Sequence, residues 1–167
     1  MVVGELNTTE QEVYYSLKEI MDPEIPGLPI TELGIVTKIE ANETKLFVQL
    51  TPTFSGCPAL QIIEDMVKVR LSELKQYDEV TVQTSFETQW TTDLITEEGR
   101  QALKKHGLTP PLQNPGYIEL DVLSDTPCPF CDSRNTTLKS PFGPTLCRSL
   151  HYCNNCLQGF EGFKPLM

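Results

Sequence analysis

The 167-residue sequence has two histidines, one tryptophan, and no apolar run long enough to cross a bilayer. It is also short of positive charge: 13 Lys and Arg stand against 23 Asp and Glu, leaving −10 at pH 7. Such a chain repels phosphate backbones, so no nucleic-acid partner is expected. The first ten residues have neither a basic start nor an apolar stretch, so no secretory signal is read there. A cytoplasmic protein without a membrane partner is the expectation. Apolar content of 39% and charged content of 22% are ordinary for a globular chain, so a core can form. The length suits one domain, or a small domain with an appended module. In a cytosolic setting the 6 cysteines read as metal ligands or working thiols rather than disulfides.

The organising stretch is Thr51-Pro52-Thr53-Phe54-Ser55-Gly56-Cys57-Pro58. Before it, Leu46, Val48 and Leu50 alternate as on a strand. After it, Leu60, Ile63, Val67, Leu71 and Leu74 recur at helical spacing, which predicts a helix from Pro58 to Lys75. Gly56 permits a sharp turn and Pro58 suits a first helical position. Cys57 is thereby placed at a helix N-terminus, where free N–H groups favour a thiolate. A small buried hydrophobe is the competing reading of the same residue.

Thr9-Glu10-Gln11-Glu12 reads as a capping box, opening a helix with Val13, Leu17 and Ile20 on one face and an end near Met21. Asp22-Pro23-Glu24-Ile25-Pro26 belongs to a proline-spaced segment that predicts extended backbone, in which Asp22 and Glu24 point the same way as paired carboxylates. An ordinary loop, with Asp22 bonded to its neighbours' backbone, is the alternative. Leu33 to Glu40 and Lys45 to Thr51 predict a hairpin around Ala41–Thr44, and Glu79 to Glu87 a third strand with Val80, Val82, Thr84 and Phe86 inward. Trp90 reads as packing. A helix from Thr96 to His106 is closed by Gly107. The expected fold is therefore α+β, a small two-layer sandwich in the order helix-strand-strand-helix-strand-helix. Residues 1–107 form that domain, 108–126 a linker with one candidate strand at Tyr117–Val122, and 127–167 a C-terminal zinc ribbon.

The ribbon rests on Cys128-Pro129-Phe130-Cys131 and Cys153-Asn154-Asn155-Cys156. Two C-x-x-C pairs at this separation fit one tetrahedral site, structural zinc ahead of rubredoxin-like iron. Asp132 and Leu157 stand where many such ribbons carry glycine. Cys147 is left over, read as a packed side chain or as a second thiol for Cys57.

Taken together, Asp22-Pro23-Glu24-Ile25-Pro26, Leu33-Gly34-Ile35-Val36, Thr51 to Pro58, Trp90-Thr91-Thr92-Asp93 and Phe142 to Arg148 resemble the PaaD family of the phenylacetyl-CoA epoxidase system. The N-terminal two thirds is also similar to the SufT-type proteins of iron–sulfur cluster assembly. The resemblance implies that Cys57 handles iron or an iron–sulfur cluster in passing, with Asp22 and Glu24 near it. It implies an accessory or maturation role for the phenylacetyl-CoA epoxidase of phenylacetate degradation, with epoxidase subunits and iron–sulfur assembly proteins as partners. Nothing here resembles a di-iron oxygenase, since no Glu-x-x-His helix pair is present, so catalysis of its own is not expected. One cysteine cannot hold a cluster alone, which calls for a homodimer, Cys147 or a partner's thiols. The other readings are a thiol oxidoreductase using Cys57 and Cys147, and a zinc-ribbon scaffold between oxygenase subunits.

Overall fold

The computed structural model of the protein describes residues 6–112 and 123–165, and the chain divides into two compact units, Met1–Trp90 and Thr91–Met167. In the first unit, helix α1 spans Thr8–Leu17. The Asn7 side chain accepts the Glu10 N–H at 2.9 Å while Glu10 accepts the Asn7 N–H at 3.0 Å. The reciprocal box thus lies two residues before the expected Thr9–Glu12 pairing, since Asn is as strong an N-cap as Ser or Thr and also has a Glu three residues on. Helix α1 buries Val13, Tyr14 and Leu17 and ends at Leu17, short of Met21, where the Ile20 N–H turns back to the Leu17 carbonyl.

The proline-spaced segment does not run extended. The Asp22 N–H donates to Leu28 O at 2.8 Å, Gly27 takes φ 83°, and Ile25, Leu28 and Ile30 are buried. Ile25 and Leu28 between the prolines, with Ile30 just after them, draw the segment onto the core, each contributing about 1.5–3 kcal/mol when fully buried. Strand β1 (Val36–Ala41) then pairs antiparallel with β2 (Lys45–Leu50), and the Asn42 side chain closes their turn on the N–H groups of Thr44 and Lys45. Helix α2 (Leu60–Ser72) crosses over to β3 (Glu79–Thr84), which pairs parallel with β2, for a sheet order β1-β2-β3. Ile39, Leu46, Val48 and Leu50 of the sheet and Ile63, Val67 and Leu71 of α2 are buried. Phe86, expected inward, is 57% exposed because β3 stops at Thr84 and the Ser85 N–H turns to Leu50 O. Trp90 is buried and its indole N–H donates to Leu33 O at 3.1 Å, so the tryptophan does pack.

The second unit begins earlier than the sequence places it. A 3-10 turn at Thr92–Leu94 precedes helix α3 (Glu97–Lys105), capped by Thr96 and followed by Gly107 at φ 77°. Arg100 of α3 is buried and its guanidinium donates to Pro111 O and to Thr92 O. Those bonds tie α3 to the residues on either side of it, within the unit Thr91–Met167. Leu108–Thr109, read as linker, forms strand β4 against β7 (Gly159–Phe163), and β5 (Thr136–Ser140) and β6 (Arg148–Cys153) complete a sheet in the order β4-β7-β6-β5. The element order and the α+β class with a C-terminal β-ribbon are as expected, although the last helix belongs to the second unit. The candidate strand at Tyr117–Val122 lies outside the described residues.

Candidate metal centre and thiol loop

The two C-x-x-C pairs form matching turns. At the first, the Cys128 N–H donates to Ser133 O at 3.0 Å and the Asp132 N–H to Cys128 O at 2.9 Å. At the second, the Cys153 N–H donates to Gln158 O at 2.9 Å and the Leu157 N–H to Cys153 O at 3.0 Å. Both turns require one left-handed residue, and Asp132 at φ 57° and Leu157 at φ 61° supply it in place of glycine. Lys104 of α3 pairs with Asp132, which helps to hold the first turn.

The four sulfurs lie within 4.8 Å of one another, the one such group of three or more metal-ligating side chains among the described residues. Cys128 and Cys156 Sγ are 3.6 Å apart, as are Cys131 and Cys153 Sγ. A disulfide needs about 2.05 Å, and a tetrahedral zinc–thiolate site about 3.8 Å between sulfurs, so the donor set fits zinc. The Ser133 N–H and the Asn155 amide hold the Cys131 thiol down to about 6, while burial and its neighbours push Cys156 up to about 12. Burial also raises Cys128. Four thiolates cannot coexist here without a cation, and a divalent ion removes that conflict. Behind the site, Phe160 packs on Cys128 and Cys153 and stacks on His151, with ring centroids 5.1 Å apart. Burial lowers the His151 pKa, which favours the neutral ring, and Ser149 Oγ lies 2.8 Å from its Nε2. It serves the ribbon core rather than the four-sulfur site.

Cys57 occupies a turn rather than the helix itself. Its N–H donates to Phe54 O at 3.2 Å, its carbonyl accepts the Leu60 N–H at 3.2 Å, and it is half-buried. Helix α2 starts at Leu60 behind Ala59, which offers no side-chain cap, so Pro58 is not its first residue and Cys57 lies just before the first turn. Asp22 is buried, and its Oδ1 accepts the N–H groups of Glu24 at 2.8 Å and Ile25 at 2.9 Å. Asp22 thereby closes its own turn, as the loop alternative has it. Cys147 is buried with the Thr145 hydroxyl 3.1 Å from its sulfur, in the packed position. Sequence reasoning missed Arg100 and the Asn155 amide that points at Cys131 Sγ; a lone Arg in an amphipathic helix and an Asn between ligands carry no distinguishing pattern.

An α+β domain with a single half-buried thiol before its second helix, followed by a four-thiol β-ribbon, is the two-module plan of an iron–sulfur assembly domain joined to a zinc ribbon. Residues 10–84 match the family described as iron–sulfur cluster assembly protein, and residues 117–164 match the PaaD zinc beta ribbon domain. The chain belongs to the PaaD family. It is 35% identical over 153 residues, covering 92% of this chain and 91% of the relative, to an Escherichia coli (strain K12) protein described as one subunit of a "Putative 1,2-phenylacetyl-CoA epoxidase". It is also 30% identical over 95 residues to the Fe-S protein maturation auxiliary factor YitW of Bacillus subtilis (strain 168), covering 56% of this chain and 92% of that one. A crystal structure of the domain of unknown function DUF59 from Bacillus anthracis superposes with a TM-score of 0.54 at 25% identity, over 61% of this chain and 97% of that one. Among the described residues no helix is long and apolar enough to cross a membrane.

Proposed function

We propose that this protein is an accessory maturation factor for a phenylacetyl-CoA epoxidase, and that it handles iron or an iron–sulfur cluster as cargo through Cys57. The observation that carries the reading is the alignment over 92% of the chain with an epoxidase component, joined to a domain whose relatives are iron–sulfur maturation factors. The other epoxidase components and iron–sulfur assembly proteins are the partners this implies. A lone thiol binds such cargo weakly enough to release it, and the partner supplies the remaining ligands. Glu24 is a carboxylate near the surface that can assist, whereas Asp22 acts by shaping the loop. Cys128, Cys131, Cys153 and Cys156 hold a structural zinc, which supplies folding energy to the ribbon and leaves no open position for chemistry. Burial of Cys147 argues against a thiol-exchange partner for Cys57.

The test is Cys57→Ser, purified without oxygen and compared with wild type for iron, sulfide and zinc content and for restoration of epoxidase activity in cells. Loss of iron and activity with zinc unchanged is the expected result. Full epoxidase activity in that variant would leave the protein a zinc-ribbon scaffold.

A further inference from the structure

Helix α2 carries more apolar surface than its own unit covers. Ile63, Val67 and Leu71 face the core. Ile62, Met66 and Val69 form a second stripe at i, i+4 and i+7, its centre roughly 130° round the helix from that of the first at about 100° per residue. They are 52%, 37% and 63% exposed. Together with Ile20, from the segment after α1, they line an open groove of about 530 Å³.

The edge of this groove is acidic, with Glu19, Asp65 and Glu73 along it. Its one cation, Arg70, is already engaged by Glu19, Glu73 and the Ser16 carbonyl. The field behind it has the same sign: residues 1–90 hold 6 Lys and Arg against 15 Asp and Glu, so this unit carries −9 of the chain's −10.

We propose that the groove docks an amphipathic helix of a partner protein, one whose apolar face is flanked by Lys and Arg. A stripe at i, i+4, i+7 is the ridge that packs into the surface of a second helix. Met66 adds an unbranched side chain that adjusts to its occupant. The acidic edge then meets basic residues beside the partner's apolar face, which steers association and fixes its orientation. A second copy of this chain is a poor occupant, because it would bring another −9 unit against the first. The inference is independent of what Cys57 carries.

The probe is a synthetic Leu/Lys amphipathic peptide of about fourteen residues, long enough to hold a helix. It is titrated into the full-length, zinc-loaded protein and followed by fluorescence anisotropy and by backbone amide chemical shifts. Saturable binding is expected, with the shifts centred on residues 62–69 and on Glu19 and Ile20. The double variant Ile62→Ser, Val69→Asn should bind at least tenfold more weakly with an unchanged melting temperature. A Leu/Glu peptide of the same pattern should also bind at least tenfold more weakly. Absence of binding, shifts centred elsewhere, or equal binding by the variant or by a Lys peptide without the apolar stripe each overturns the proposal. Self-association of the protein that protects the same residues overturns it as well, by making a second copy the occupant.

Discussion

The carboxylate of Asp22 accepts the backbone N–H of Ile25 at 2.9 Å, and the Ile25 side chain is buried beneath that turn. Acidic chemistry and core packing therefore meet in the same four residues.

From this relationship, Asp22→Asn and Asp22→Ala should separate. Asn keeps the oxygen that accepts from Glu24 and Ile25, so its stability should stay within about 1 kcal/mol of wild type. Ala removes the side-chain acceptor from both N–H groups, although that of Ile25 keeps a 3.3 Å bond to the Asp22 carbonyl, and should cost about 1–2 kcal/mol. Urea denaturation midpoints measure both. A large loss of epoxidase maturation in Asp22→Asn at wild-type stability would instead make the charge itself functional.

The ribbon should contain one zinc per chain, and its fold should depend on it. Replacing any of Cys128, Cys131, Cys153 or Cys156 by Ser, or stripping metal with a chelator, should unfold the knuckles. Structural zinc is worth about 10–16 kcal/mol in modules of this size. Metal analysis paired with amide hydrogen exchange over β5 and β6 reads this directly. Protected strands in the metal-free protein would contradict it.

Glu64 joins helix α2 to strand β3, accepting from Lys68 on its own helix and from the Thr84 hydroxyl at 3.0 Å. The Lys68 bond holds its carboxyl below 4.5, more than burial raises it. A depressed folded-state pKa means a contribution present in full above the unfolded value of 4.5 and lost as pH falls through the lower folded value. Glu64→Gln should thus cost no more than about 1 kcal/mol at pH 7, and the difference from wild type should fade below pH 4.5. Denaturation midpoints of the two proteins at pH 7 and pH 3 provide the check.

Periodic signals translate well into structure. Leu46, Val48 and Leu50 are buried on β2 as their alternation requires, and Ile63, Val67 and Leu71 form the inner stripe of α2. What does not translate is decided by competition between similar local solutions. Asn7 and Thr9 are both good N-caps with a Glu three residues on, and local pattern does not separate them; the helix uses the earlier one. The prolines between Asp22 and Pro29 predict an extended segment, whereas Ile25 and Leu28 outweigh them by entering the core. The second stripe on α2 is present in the sequence as excess apolar residues for a one-sided helix, but exposure is a tertiary fact. The ribbon is the most legible part, since cysteine spacing encodes ligand geometry with no intermediate step. Cys57 reads in the sequence as a helix N-terminus, whereas it lies in the turn before α2, whose first residue is Leu60.

Helix α2 begins three residues after Cys57, and the exposed stripe starts within its first turn. At about 1.5 Å per residue, Ile62 to Val69 span roughly 3–14 Å along the axis from the helix start. A molecule lodged on that face is therefore tethered close to the thiol, and its own ligands experience an effective local concentration on the order of millimolar. Under the proposed function, passing an ion from Cys57 to such a molecule is an intramolecular exchange, and the length of one helix sets the volume in which it takes place.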